Sequence, residues 1–231
     1  MEGNAADGRL LEIPQGELMF INQGRHSGWI EVVCGPMFSG KTEELIRRLR
    51  LSLIAKQKVR IFKPMTDNRY SEEHIVSHDD QKFVCTPVAV SKDIMGKVKD
   101  HTQVIGIDEA QFFDEKLVDV CQTLANRGMR VIVAGLDQDY LGVPFGPMPN
   151  LMAVAESVLK LKAICMVCGG LASKSQRLTN ENAQVVIGAK DRYEARCRAC
   201  FDPDLGNENG LPFEPDRQKP TRQDIPRQIS G

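Results

Sequence analysis

Two runs in this 231-residue chain combine residue types and spacings suited to chemistry on a phosphorylated nucleotide. The first, Gly35-Pro36-Met37-Phe38-Ser39-Gly40-Lys41-Thr42, fits G-x-x-x-x-G-K-[ST]. Glycine lets the backbone curl until successive N–H groups converge on phosphate oxygens, and a helix starting there adds a favourable dipole. Lys41 then suits the β- and γ-phosphates of ATP, and the Thr42 hydroxyl suits Mg²⁺, a hard cation that binds through oxygen. The second run is Asp108-Glu109-Ala110-Gln111, two carboxylates closing an apolar stretch. Asp108 is the natural partner for the Mg²⁺ shell, and Glu109, pointing to the other side of a strand, is a candidate general base. The plainer alternatives are a glycine turn with an exposed lysine and an acidic helix cap. The carboxylate pair alone does not separate phosphoryl transfer to an alcohol from transfer to water.

A third group is metal-like. Cys165-Met166-Val167-Cys168 and Cys197-Arg198-Ala199-Cys200 are C-x-x-C pairs separated by roughly thirty residues, somewhat longer than the usual zinc-ribbon interval but of the same kind. Four thiolates saturate Zn²⁺ and leave no position for water, so such a site is structural and its binding energy supports a lobe too small for its own core. Redox dithiols or unrelated buried cysteines are the alternatives. Cys34, Cys85 and Cys121 fall in apolar segments and read as core residues. His74, His78 and His101 show no ligand pattern and are assigned no role.

The elements that must position these groups are visible as periodicity. Trp29 to Cys34, Val59 to Phe62, Val104 to Ile107 and Met129 to Leu136 read as strands buried on both faces, which suits a parallel sheet. Thr42 to Gln57 places Leu45, Leu49 and Leu53 on one helical face, and Glu115 to Arg127 does so with Leu117, Cys121 and Leu124, as crossover helices require. The expectation is a three-layer α/β domain over 28–162. The pattern changes after Lys162, where cysteine pairs mark a second, zinc-binding lobe over 163–204. Residues 1–27 and the proline-punctuated 205–231 read as disordered tails, since neither can bury enough apolar surface to offset its ordering entropy.

Bulk composition narrows the function class. A net charge of -1 gives no whole-chain field for a polyanion such as duplex DNA. Residues 1–18 lack a basic and apolar leader pattern, and no apolar run is long enough to span a bilayer, so a cytoplasmic protein without membrane contact is expected. An ATP-driven nucleic-acid-binding protein with a zinc ribbon, and a non-enzymatic zinc-ribbon module with a nucleotide switch, remain as alternatives.

Taken together, Gly35 to Thr42, Asp108 to Phe113, Lys63-Pro64 with Asp67-Asn68-Arg69-Tyr70, and the four paired cysteines resemble the zinc-containing cytosolic (type II) thymidine kinase family over about residues 29 to 201. Pro144-Phe145-Gly146 and Ala155-Glu156-Ser157 also look like that family's segment after the last core strand. The resemblance implies transfer of the ATP γ-phosphoryl group to the 5′-hydroxyl of thymidine, a step of nucleotide salvage for DNA synthesis. It further implies a RecA-like α/β domain, a zinc lobe carrying a loop over the base, a homotetramer, and feedback inhibition by thymidine triphosphate. In that reading Glu109 deprotonates the 5′-hydroxyl. Asp67, Asn68, Arg69 and Gln111 join the phosphate-loop residues and Asp108 around the nucleotide. Met37, Phe112, Leu136, Tyr140 and Phe145 line the nucleoside pocket, and Ser175, Gln184, Val185, Val186, Ile187, Gly188 and Tyr193 cover thymine. Ser175 and Gln184 stand where the family usually has threonine and valine. For the aromatics ordinary packing is the alternative role, and for Asp67 and Arg69 a solvated loop pair.

Overall fold

The computed structural model describes residues 27–65, 74–76, 82–179, 192–203 and 205. Apart from Ser27 and Leu205, the two expected tails lie outside them. The elements run β1 (Trp29–Cys34), α1 (Lys41–Ile54), β2 (Val59–Pro64), β3 (His74–Val76), β4 (Lys82–Val84), β5 (Thr86–Val88), α2 (Asp93–Lys97), β6 (Val104–Ile107), α3 (Leu117–Asn126), β7 (Arg130–Gly135), α4 (Met148–Val154), β8 (Ser157–Lys160), β9 (Ala163–Ile164), β10 (Leu171–Ala172), β11 (Lys174–Arg177) and β12 (Tyr193–Arg196).

Six strands form one parallel sheet in the order β5-β2-β6-β7-β1-β8. Alternate side chains of each strand face opposite layers. From β1 and β7, Val33, Ile132 and Ala134 pack with Leu45, Ile46 and Leu49 of α1 on one face. On the other face Val32, Cys34, Val131 and Val133 pack with Leu117, Cys121 and Leu124 of α3 and with Met148 and Leu151 of α4. Central strands apolar at most positions are therefore what this architecture requires, with Glu31 and Arg130 as buried exceptions. The four expected strands lie at the centre, and the sequence reading missed the two edges. β5 contains Pro87, which an edge strand tolerates, and β8 alternates between half-buried and exposed residues rather than presenting an apolar run.

Helix α1 differs from expectation at one position. Leu45 and Leu49 are buried but Leu53 is half exposed, because an i, i+4 row drifts about 40° per step and the inward stripe passes to Ser52. Polar residues also enter this layer. Glu31 of β1, almost fully buried, accepts from Arg48 of α1 at 2.7 Å, from Arg130 of β7 at 2.6 and 3.1 Å and from the Trp29 indole at 2.6 Å. Removing one partner of such a buried set strands the others without compensation. Glu31→Gln is expected to cost about 3 kcal/mol, since Glu44 still pairs with Arg48 but the Arg130 guanidinium loses its carboxylate. Urea unfolding should show a lower midpoint with an unchanged slope.

Beyond the sheet, β9 pairs with β10 and β11 with β12, both antiparallel, and among the described residues the apolar cluster there is Ala163, Cys165, Ala172 and Ala195, with Val167, Cys168, Cys197 and Cys200 partly buried against it. So small a core cannot support these strands without further bonding. A separate antiparallel pair, β3 with β4, lies between β2 and β5 in the chain. Among the described residues no helix is long and apolar enough to cross a membrane.

Candidate active site

Because the sheet is parallel, the ends of β1, β6, β7 and β8 open on one edge, where α/β folds of this kind place ligands. At the end of β1 the chain turns through Gly35 with φ 144°, where a Cβ would lie 2.6 Å from the Leu161 carbonyl oxygen, so only glycine fits. Phe38 and Gly40 are left-handed and α1 begins at Lys41 with no side chain capping it, so its first N–H groups remain available to an anion. Ser39 Oγ and Lys41 Nζ both donate to the Pro36 carbonyl at 2.8 Å, which closes the loop on itself. Burial lowers the Lys41 pKa against the opposing pull of Glu109, Asp108 and Asp137. An arriving polyphosphate would restore the missing negative charge.

Asp108 follows β6 directly and is buried. Its Oδ2 accepts from Thr42 Oγ1 at 3.3 Å, and its Oδ1 from the Glu109 N–H at 3.0 Å. Burial first, and then the charge of Glu109, push its carboxyl up to about 7, against the Glu109 N–H, Lys41 and Thr42. A hydroxyl and a buried carboxylate that holds its proton to near neutrality fit a site for a hard divalent cation, and Mg²⁺ matches that donor set. In the nucleotide-free protein the folded state keeps a proton that the unfolded chain releases above its usual carboxylate range. This group's contribution to stability is thus full below about pH 4 and is lost as pH rises toward 7. Asp108→Asn abolishes that loss. Its stability relative to the parent should be greater at pH 8 than at pH 5 by on the order of 2 kcal/mol, checked by urea unfolding at both values without nucleotide or Mg²⁺.

Glu109 is exposed and left-handed, with φ 52°, a conformation a non-glycine residue adopts only under local constraint. It precedes a single 3₁₀ turn, Ala110–Phe112, and its side chain makes no capping bond there. Its carboxylate accepts instead from Gln111 Nε2, while Gln111 Oε1 accepts from the Leu136 N–H at 2.9 Å. Gln111 is buried, and Gly146 approaches it so closely that a Cβ would lie 2.3 Å from its carbonyl oxygen. The end of β7 thereby aims the carboxylate that follows β6.

The expected pocket residues are gathered partly by direct contact. Phe112 and Phe145 meet edge to face with centroids 5.5 Å apart, and Leu136 is tied to Gln111. Met37 donates its N–H to Ser175 Oγ at 2.9 Å, joining residues 138 apart and attaching β11 to the phosphate loop. Tyr140 and Tyr193 share Arg177, whose guanidinium carbon lies 3.4 Å from the Tyr140 ring centroid and whose Nη2 donates to the Tyr193 hydroxyl at 3.0 Å. Asp67, Asn68, Arg69, Gln184, Val185, Val186, Ile187 and Gly188 lie outside the described residues. Sequence reasoning missed Arg177, Asp137 and Lys160. Asp137 is buried just beyond β7 and pairs with Lys160 of β8 at 2.6 Å. Its place after a buried strand was a usable signal, whereas Arg177 sits in a polar run with no alternation to read.

The four cysteines of the two C-x-x-C pairs converge, with all four sulfurs within 4.8 Å of one another and Cys168 and Cys197 sulfurs 3.7 Å apart. A tetrahedral Zn–S₄ centre with bonds of about 2.3 Å needs sulfurs about 3.8 Å apart. The Cys165 thiol is raised by burial but lowered more by the N–H groups of Cys197, Cys168 and Val167, to about 6. Cys200 moves the other way, through burial and the crowding of the other three sulfurs. Four thiolates cannot coexist here without a cation among them, so the donor set fits a metal ion. Cys34, Cys85 and Cys121 are buried in the sheet cores, with Cys34 raised to about 11 and Cys121 to about 12, chiefly by burial.

Comparison with known proteins adds an independent line. A family model described as thymidine kinase matches residues 28–201, a span that holds the phosphate loop, both carboxylates and all four clustered cysteines. The chain is similar to a thymidine kinase from Rhodothermus sp. (strain ITI 518), with 61% identity over 187 residues, covering 81% of this chain and 87% of that protein.

Proposed function

The chain belongs to the thymidine kinase family, a family of nucleoside kinases, and from that premise we propose that it transfers the ATP γ-phosphoryl group to the 5′-hydroxyl of thymidine. The observation that carries this reading is the chain of bonds from Leu136 through Gln111 to an exposed Glu109, adjoining the Asp108–Thr42 pair and the phosphate loop.

Gly35 to Thr42 holds the triphosphate through backbone N–H groups, with Lys41 on its β- and γ-phosphates. Thr42 and Asp108 would hold Mg²⁺, which would supply neutralisation of the charge developing on the phosphates. Glu109 accepts the proton of the 5′-hydroxyl, and Gln111 fixes the direction from which it does so. Met37, Leu136, Phe112 and Phe145 form the apolar wall of the nucleoside pocket, Tyr140 and Tyr193 extend it, and Ser175 ties that wall to the phosphate loop. Asp67, Asn68 and Arg69 serve the nucleotide, and Gln184 to Gly188 covers the base. The cysteine cluster would hold a structural Zn²⁺, and its four convergent sulfurs support a reading as the zinc-containing, RecA-like, cytosolic (type II) branch of the family. In this reading 28–162 is the kinase domain and 163–204 the zinc lobe. The protein works as a homotetramer inhibited by thymidine triphosphate, which carries the nucleoside of one substrate and the triphosphate of the other.

Incubation with ATP·Mg²⁺ and each nucleoside tests the assignment. Thymidine-dependent ADP release, fastest among the nucleosides, is the expected result. Release that depends on DNA, or none above background with any nucleoside, would overturn it.

A further inference from the structure

Four consecutive polar residues, Lys174-Ser175-Gln176-Arg177, form β11 and all four are buried, which is an unusual composition for a strand inside a small lobe. Each is held by a different partner. On one face Lys174 Nζ donates to Gln138 Oε1 at 2.7 Å and lies over the Phe201 ring, while Gln176 donates to the Asp202 carbonyl and accepts from the Asp202 N–H, both at 2.8 Å. On the other face Ser175 accepts from the Met37 N–H of the phosphate loop and Arg177 reaches Tyr140. Strand alternation thus turns one side of β11 toward the lobe's C-terminal segment and the other toward the site.

Arg177 is the more consequential grip. It is 1% exposed, and its partner across the β11–β12 ladder is Tyr193, whose hydroxyl accepts from Nε and Nη2 at 3.3 and 3.0 Å. Its guanidinium carbon lies over the Tyr140 ring, 3.4 Å from the centroid, a stacking distance. Tyr140 belongs to a tight turn closed from within, the Asp139 carboxylate accepting from the N–H groups of Leu141 and Val143 and Asp139 N–H bonding the Val143 carbonyl. Those bonds fix the turn's backbone and leave the ring free to rotate about its own side-chain torsions. The stacked cation removes that freedom, and only a planar guanidinium can both stack on one ring and donate twice to the other.

We propose that Arg177 is a positioning residue for nucleoside recognition, setting the orientation of Tyr140 and Tyr193 from behind without touching substrate. The inference rests on the kinase reading above. It separates two consequences of β11: the phosphate loop is gripped by Ser175, and the base-side wall by Arg177. Loss of Arg177 therefore weakens nucleoside binding and leaves the nucleotide half of the site alone.

The test is steady-state kinetics of the full chain and of Arg177→Met, with metal content and melting temperature measured alongside. KM for thymidine should rise about tenfold, the scale of a desolvated cation–π contact, while kcat and the KM for ATP stay within about twofold and zinc content is unchanged. In a Tyr140→Leu background the same substitution should raise KM clearly less than tenfold, because one of the two rings it orients is gone and only its hold on Tyr193 is left to lose. An unmoved KM for thymidine, a parallel fall in all parameters, or full additivity with Tyr140→Leu would overturn the proposal. If Arg177→Met does not fold, Arg177→Lys keeps the buried charge but not the planar stack and carries the same expectation. A parent protein without thymidine-dependent turnover would overturn the kinase reading instead, so the two failures are distinct.

Discussion

Glu109→Gln lowers thymidine-dependent turnover by about 10³-fold while ATP binding persists, because the variant removes proton acceptance and little else. Glutamine matches glutamate in shape, and Gln111 can still hydrogen-bond to its side-chain oxygen, so the Leu136–Gln111 arrangement survives. The nucleotide is held elsewhere, by the phosphate loop, Lys41 and the Thr42–Asp108 pair. The expected signature is a fall in kcat and in kcat/KM by the same factor, with nucleotide affinity measured by calorimetry close to that of the parent. Turnover within tenfold of the parent would show that another group takes the proton. Glu109 also carries a left-handed backbone, and substitution by glutamine keeps that strain constant, which glycine would not.

The second large effect is expected on removal of the metal. Among the described residues the cysteine lobe has a core cluster of four small buried residues, and in zinc-finger peptides the metal supplies roughly 10–16 kcal/mol of folding energy. Chelation, or Cys197→Ser, should therefore dissolve the arrangement of β9 to β12. Three attachments to the sheet go with it: Ser175 to Met37, Lys174 to Gln138, and Arg177 to Tyr140. The expected outcome is one zinc ion released per chain and at least a hundredfold loss of kcat/KM for thymidine, with the α/β core still folded by circular dichroism and still binding ATP. Parent-like thymidine kinetics in zinc-free protein would show that the lobe folds and positions β11 unaided.

These two effects probe different kinds of information. Glu109 was identified from a carboxylate pair closing an apolar run, and its partner Gln111 was assigned to the nucleotide. In the structure the Gln111 side chain lies between Glu109 and Leu136, the latter 25 residues away. The cysteines carry metal-type spacing in the sequence, and their sulfurs converge. Which strand of that lobe would reach the phosphate loop was not legible, because Lys174 to Arg177 presents neither an apolar period nor a motif.

What the amino-acid sequence determined by itself is local in origin. The phosphate loop depends on glycines at set offsets, each C-x-x-C pair makes its own knuckle, and strands buried on both faces declare themselves by continuous apolar residues. Tertiary structure alone decided the pairings between polar residues far apart in the chain: Glu31 with Arg130, Met37 with Ser175, Tyr140 with Arg177. Periodicity reports which face a side chain occupies, whereas a buried polar group is satisfied only by one particular partner in one particular register. That partner comes from whichever segment the packed sheet and the metal-held lobe bring within hydrogen-bond reach.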